Sequence, residues 1–490
     1  MSCMHCCRSL VIAVVAILGV PASGQPRFDA NASRQLAGSI LVDGRSFEYV
    51  AELTDKFGSR LTGSLAYQRA AEWTVAGFRA AGIARVAAEP FTIARGWQRG
   101  IARGRMVAPL ERPLHLESLG WMPSTPEGGI EGDIAVVADL APERIAADPS
   151  LRGRVALVGP SAESGDSADR LKLRDHLDAR LREAGAIAVL WPDGDANNVL
   201  SARSTGFGTE VGVLPSAQVG REDVQLIRRL LDNGPVRIAF ELHNEVSPGP
   251  ITVNNVIAEI RGGERPDEWV IVGAHLDSWD FGTGAQDNGT GVAMVLDAAR
   301  AIAALARSPR RSIRFALWGG EEQGLIGSMA YVRAHEAELA HCVANINTDG
   351  GSGRVRGFLT PGRHDVAVAM RPISQTLLAG LGAAALDESM RYAFQSDDGP
   401  FILNGIPALD LNPDEAKYEE VHHKTSDTID KIDRHDLAVG AAAVAIAAFA
   451  IADAPQPIAP HLDRPAIAAM LAAARMDRVL QMNGMWKPGS

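Results

Sequence analysis

The sequence predicts an α/β protein: a mostly parallel central sheet with helices on both faces, interrupted by an inserted β-rich domain. Three observations carry this. From Asn254 onward, apolar strand-like runs at Val256 to Ile260, Trp269 to Ala274, Ile313 to Trp318 and Val343 to Asn347 alternate with helical patterns at Gly291 to Leu305 and Leu325 to His335. Such alternation signals parallel strands joined by helical crossovers. Between Pro109 and Pro250 the texture differs, with short strands at Ile134 to Val137, Val155 to Val158, Ala186 to Leu190 and Val236 to Phe240 among many Gly and Pro residues. Finally, 490 residues are too many for one simple core.

Residues 1–24 read as a signal peptide. Arg8 supplies positive charge, Leu10 to Val20 an apolar run and Ala22-Ser23-Gly24 a small-residue cleavage pattern. The run is short for a bilayer span. The mature chain is therefore expected to start near Gln25, in the periplasm or outside the cell, without stable membrane insertion. Cys3, Cys6 and Cys7 fall in this leader, so Cys342 has no partner and the core must do without a disulfide.

Residues 25–108 are expected to begin the main domain. A docking segment over 27–64 closes with Gly58-Ser59-Arg60-Leu61-Thr62-Gly63-Ser64, an amphipathic helix runs from Ala66 to Ala81, and a strand covers Val86 to Ile93. The insert occupies 109–250 and carries helices around Asp169 to Ala184 and Glu222 to Leu231. The main domain resumes over 251–455, followed by a helical tail at 456–490. Leu437 to Ala452 is almost wholly apolar, but it is short and rich in Ala, so a buried helix is expected there. A formal charge of −11 with no basic run excludes nucleic acid as a partner.

Four stretches hold the chemistry. In Gly273-Ala274-His275-Leu276-Asp277, His275 ends a buried strand, where α/β folds place functional groups. Asp277 is placed to accept its second ring N–H, as partners of metal-bound histidines do. A Gly-rich loop then returns Asp287 beside it. In Trp318-Gly319-Gly320-Glu321-Glu322, a strand breaks at two glycines and delivers adjacent carboxylates; an acidic first helical turn is the plainer reading of that stretch alone. Asn345-Ile346-Asn347-Thr348-Asp349-Gly350 is a polar break after another strand, and Val421-His422-His423-Lys424-Thr425-Ser426-Asp427-Thr428 adds two histidines. Imidazoles and carboxylates without thiolate suit a catalytic zinc site. Two ions sharing one carboxylate would sit roughly 3.5–4 Å apart.

In these four ordered motifs the chain resembles the co-catalytic zinc exopeptidases, a family that includes bacterial leucyl aminopeptidases, glutamate carboxypeptidase and the transferrin receptor; it looks closest to the plasma glutamate carboxypeptidase branch. The resemblance implies two zinc ions, with Asp287 bridging them, His275 and Asp349 on one, and Glu322 and His423 on the other. It implies Glu321 as the general base acting with a metal-bridged hydroxide, and Asp277 as the residue orienting His275. Several relatives have Tyr where this chain has His422; we expect His422 to replace it as oxyanion donor, with Tyr418 as the alternative. Arg152-Gly153-Arg154-Val155-Ala156-Leu157-Val158 and Ala184-Gly185-Ala186 are similar to landmarks of a protease-associated lid, and Ser396-Asp397-Asp398-Gly399-Pro400-Phe401 to a stretch lining the family's site.

The expected activity is that of an aminopeptidase or dipeptidase acting on short peptides, and the resemblance implies a homodimer. An inactive binding protein of the transferrin-receptor kind would have lost ligands that are all present here. A single-zinc acyltransferase of the glutaminyl-cyclase kind is disfavoured by His275 standing with both acids. Asp280 as an anchor for a substrate amine and Arg203 as an anchor for a terminal carboxylate stay open as alternatives.

Overall fold

The computed structural model describes residues 28–159 and 176–487. The expected leader over 1–24 and the start of the expected helix at Asp169 lie outside the described residues. The main sheet has eight strands, numbered here within that sheet: β1 (Arg85–Ile93), β2 (Ile251–Ile260), β3 (Arg265–His275), β4 (Arg311–Trp318), β5 (Cys342–Asn347), β6 (Val355–Leu359), β7 (Ala385–Asp387) and β8 (Ala408–Pro413), in the order β1-β2-β4-β3-β5-β8-β6-β7. The central four, β4, β3, β5 and β8, run parallel. Antiparallel pairings at β1–β2, β2–β4 and β8–β6 flank them.

The central strands are buried on both faces, so their side chains serve two cores. In β3, Val270, Val272 and Ala274 join the larger cluster, while Trp269 and Ile271 join the other. The larger cluster packs helices α1 (Ala30–Leu41), α2 (Ser46–Phe57), α3 (Leu65–Ala80), α4 (Thr290–Ala303) and α6 (Arg434–Asp453); α5 (Ile326–Ala334) covers the opposite face. The segment expected to dock over 27–64 thus does so as two helices. Helix α6 is the apolar run anticipated from Leu437. It is long and apolar enough to cross a membrane, yet 83% of its most apolar window is buried inside the protein. Gly440 lets it approach α4 closely: a Cβ there would lie 2.8 Å from Met294 Cε.

The insert forms a second eight-stranded sheet, in the order Arg112–Leu114, Ala102–Ala108, Arg237–Leu242, Ile130–Val137, Val155–Val158, Ala188–Pro192, Ser216–Val219, Leu116–Ser118. A two-stranded ribbon, Trp97–Gln98 against Glu245–Val246, leads out and back. The sheet therefore takes in Ala102–Ala108, ahead of the boundary expected at 109. That strand pairs with Arg237–Leu242, but its polar, Arg-rich sequence buries only Met106, so it carries no pattern to mark it.

Candidate metal centre

Register brings the motifs together. His275 pairs with Trp318 across β3 and β4, and Gly273 with Asn347 across β3 and β5, so three parallel strands end at one level. The turns leaving them carry His275, Glu321, Glu322 and Asp349 to the carboxyl edge of the sheet, where open α/β sheets bind ligands. Between β4 and the glutamates the chain turns at Gly319 and Gly320. A Cβ on Gly319 would meet the Tyr67 hydroxyl at 2.2 Å, and Gly320 has φ +74°, a conformation that glycine adopts without strain.

The loop after β3 is pinned from beneath by Arg60. This residue is fully buried and donates to the carbonyls of Leu276 (2.7 Å), Thr283 (2.8 Å) and Gly284 (2.8 Å). Asp427 accepts the backbone N–H groups of Gln286 (2.6 Å) and Asp287 (3.2 Å), which fixes where the Asp287 carboxylate projects. The last motif adds His423 with φ 61°, a left-handed conformation uncommon outside glycine and of the kind that clusters at functional sites.

Asp287 stands between two donor groups. Its Oδ1 lies 3.2 Å from His275 Nε2 and its Oδ2 lies 3.2 Å from His423 Nε2. His275 Nε2 is also 3.2 Å from Asp349 Oδ1, and His423 Nε2 is 2.9 Å from Glu322 Oε2. His275, Asp287 and Asp349 form one cluster with donor atoms all within 4.8 Å, and Asp287, His422 and His423 form a second. Glu321 reaches toward the first, its Oε2 4.0 Å from His275 Nε2.

Known proteins resemble this chain in sequence and fold. The profile of peptidase family M28 matches residues 255–448, which span all four motifs. A crystal structure of a peptidase M28 precursor from Shewanella amazonensis is 30% identical, covers 89% of this chain and 99% of its own, and superposes with a TM-score of 0.76. The chain belongs to peptidase family M28. Bovine carboxypeptidase Q is 29% identical over 412 residues, covering 84% of this chain and 85% of that protein. BSAP, a zinc aminopeptidase from Bacillus subtilis, shares the fold with a TM-score of 0.64 at 22% identity, covering 86% of this chain and 95% of its own. This chain is thus an enzyme, and its clustered imidazoles and carboxylates make it a metallopeptidase.

The charge balance of the M28 site fits a divalent cation. Burial raises Glu321 well above the usual carboxylate range, against the pull of His275 and with the help of Asp349 and Glu322. Burial, with Asp287 adding to it, pushes Glu322 up to about 7. Burial works against a charged His275, yet Asp349 and Glu321 hold its pKa well above normal. So many buried carboxylates around neutral-capable imidazoles form a site whose charge an N/O-bound metal ion would complete.

Asp277, Asp280 and Arg203 each meet partners that the sequence did not name. Nδ1 of His275 lies 3.0 Å from the Asp277 backbone carbonyl and 3.7 Å from its Oδ1. The Asp277 carboxylate also accepts Thr62 Oγ1–H (2.7 Å) and the backbone N–H groups of Glu321 and Glu322 (both 3.3 Å), because the glycine turn brings those N–H groups to it. Asp280 is engaged in a bidentate pair with Arg99, both contacts 2.9 Å, and faces a separate cleft of about 1050 Å³. Arg203 donates to the Pro192 carbonyl, and neither it nor Asp280 lines the site cavity.

That cavity, about 430 Å³, is lined by Asp287, Glu321, Glu322, Asp349, His422 and His423 together with residues no motif marked, notably Phe207, Tyr392, Asp410, Glu415 and Glu419. Ser396 lines it as the resemblance implied, while Asp397 and Asp398 are buried behind. Tyr418 and His422 both reach it, their rings 5.0 Å apart, and the His422 ring lies 3.7 Å from that of His423. Burial and the neighbouring His423 lower the His422 pKa to about 4. Arg60 is the supporting residue that sequence reasoning missed; its only signal was a lone Arg in a run of small residues.

Proposed function

We propose that this M28 peptidase is an exported exopeptidase that holds two zinc ions and removes residues from the free-amine end of short peptides. The observation that carries the reading is Asp287, with one carboxylate oxygen at each of two histidine–carboxylate groups. His275 and Asp349 would hold one zinc, Glu322 and His423 the other, and Asp287 would serve both. The relatives named as zinc aminopeptidase and carboxypeptidase support the metal and the exopeptidase class. The leader pattern at Arg8 to Gly24 supports export, and the insert serves as a protease-associated lid.

When bound, zinc polarises the scissile carbonyl and acidifies water. Glu321 takes the proton from the attacking water and delivers it to the leaving amine as the C–N bond breaks. Its position in the cavity wall and its raised proton affinity suit a group that must hold a proton between the two steps. His422, neutral at working pH and facing the cavity, offers an N–H to the oxyanion. Asp277, gripping the backbone of Glu321 and Glu322, positions the base and a ligand at once.

The lining supports an amino-terminal assignment. Beyond the metal and base residues, Asp410, Glu415 and Glu419 line the cavity, and no Lys or Arg does so among the described residues. A free amine is the terminus such a wall attracts. The opposite reading, a carboxypeptidase, is favoured by the bovine relative's name, with Arg391, whose guanidinium lies over the ring of the cavity-lining Tyr392, as the anchor. A dipeptide panel with free and blocked termini separates them. Cleavage confined to free-amine substrates, and lost in Glu321→Gln, is the expected result. Cleavage of amine-blocked substrates would reverse the end assignment, and an active Glu321→Gln would remove that residue as base.

A further inference from the structure

The insert is locked onto the site by backbone contacts. The N–H of Ala202 donates to the carbonyl of His423 at 2.7 Å, and that of Gly208 to the carbonyl of Gln323 at 2.6 Å. Ser201 bridges to Lys424, whose Nζ lies 3.1 Å from Asp195 Oδ1. The chain between these anchors therefore has a fixed position over both the glutamate turn and the last histidine. At its tip is Phe207. Its ring packs on Gly324: with φ +104°, that glycine would place a Cβ 2.6 Å from Phe207 Cδ1.

Phe207 is nonetheless 61% exposed, and its exposed ring lines the catalytic cavity beside Glu321 and Glu322. A large aromatic on anchored backbone, with its ring left in water in a cavity wall, is a surface suited to an apolar partner. Across the same cavity stand Leu411 and the rings of Tyr392 and Tyr418. We propose that Phe207 is a specificity residue supplied by the insert, closing this cavity against an apolar side chain of the substrate. The inference rests on the exopeptidase reading above and names the substrate class it favours: short peptides bearing a leucine-like side chain in preference to an alanine-like one. Its role is to bind the side chain, so it governs KM and discrimination and not the proton transfer at Glu321.

The test compares wild type, Phe207→Ala and Phe207→Leu on Leu-Gly and Ala-Gly, with zinc content and Tm measured on each. Loss of the ring should raise KM for Leu-Gly roughly tenfold, the scale of one lost apolar contact surface. KM for Ala-Gly and both kcat values should move little, so the preference for Leu-Gly collapses, and Phe207→Leu should restore much of it. An unchanged preference in Phe207→Ala, or an equal loss on both substrates, would overturn the proposal while leaving the exopeptidase intact. A zinc-loaded wild type that cleaves neither dipeptide would overturn both.

Discussion

At the scale of single residues, the site is a set of carboxylates made useful by what holds their backbones. Asp277 and Asp427 both accept backbone N–H groups, from Glu321 and Glu322 in one case and from Gln286 and Asp287 in the other. Each aims side chains it does not itself touch. Arg60 adds three bonds to loop carbonyls from the protein interior. His422 is different, since it faces the cavity and its ring lies tilted against that of His423. If it donates to the oxyanion, His422→Ala will lower kcat by about 100-fold, the usual consequence of losing one such donor, with KM little changed. Steady-state kinetics on a free-amine dipeptide, beside an unaltered Tm, check this; a kcat near wild type would leave the ring with a packing role.

The elements contribute through their ends. The parallel strands β4, β3 and β5 stop at one level because apolar runs are followed by glycines or polar residues at matched registers. These were legible in the sequence: buried runs of β-branched and aromatic residues mark strands, and Gly319-Gly320 marks the break. The antiparallel flanks β1, β2 and β6 were not legible as such, since direction depends on partners and not on local pattern. The same holds for Ala102–Ala108, which joins the insert by pairing alone. Helix ends are testable. Asp29 caps α1, accepting the N–H groups of Asn31 and Ala32, and pairs with Arg307. The backbone N–H of Ala32, then Arg307, hold its pKa below the usual carboxylate range. A carboxylate with a depressed folded pKa stabilises above its unfolded value, and that contribution fades as pH falls through the folded one. Asp29→Ala should therefore cost about 1 kcal/mol near pH 6, a difference that shrinks as the pH falls through the depressed folded pKa, read by urea unfolding.

On the scale of the whole molecule, two sheets built by separate cores meet at one site. The main domain presents the metal and base residues; the insert closes over them with Trp121 against Trp279 on one side and Phe207 on the other. Two metal ions bound among buried like charges would stabilise the folded state by linkage. Chelation should lower Tm by several degrees and abolish peptide cleavage, and added zinc should restore both. A Tm indifferent to chelator would argue that the clusters around Asp287 do not hold metal.

The sequence by itself determined the α/β class, the presence of an insert and the identities of the residues now found at the centre, because strand burial and glycine breaks are local properties. It could not decide which atoms of Asp277 face which partner, whether Asp280 is free, or that Phe207 joins the site. Those depend on contacts between segments far apart in the chain, whose distances and directions exist only after the two domains have packed together.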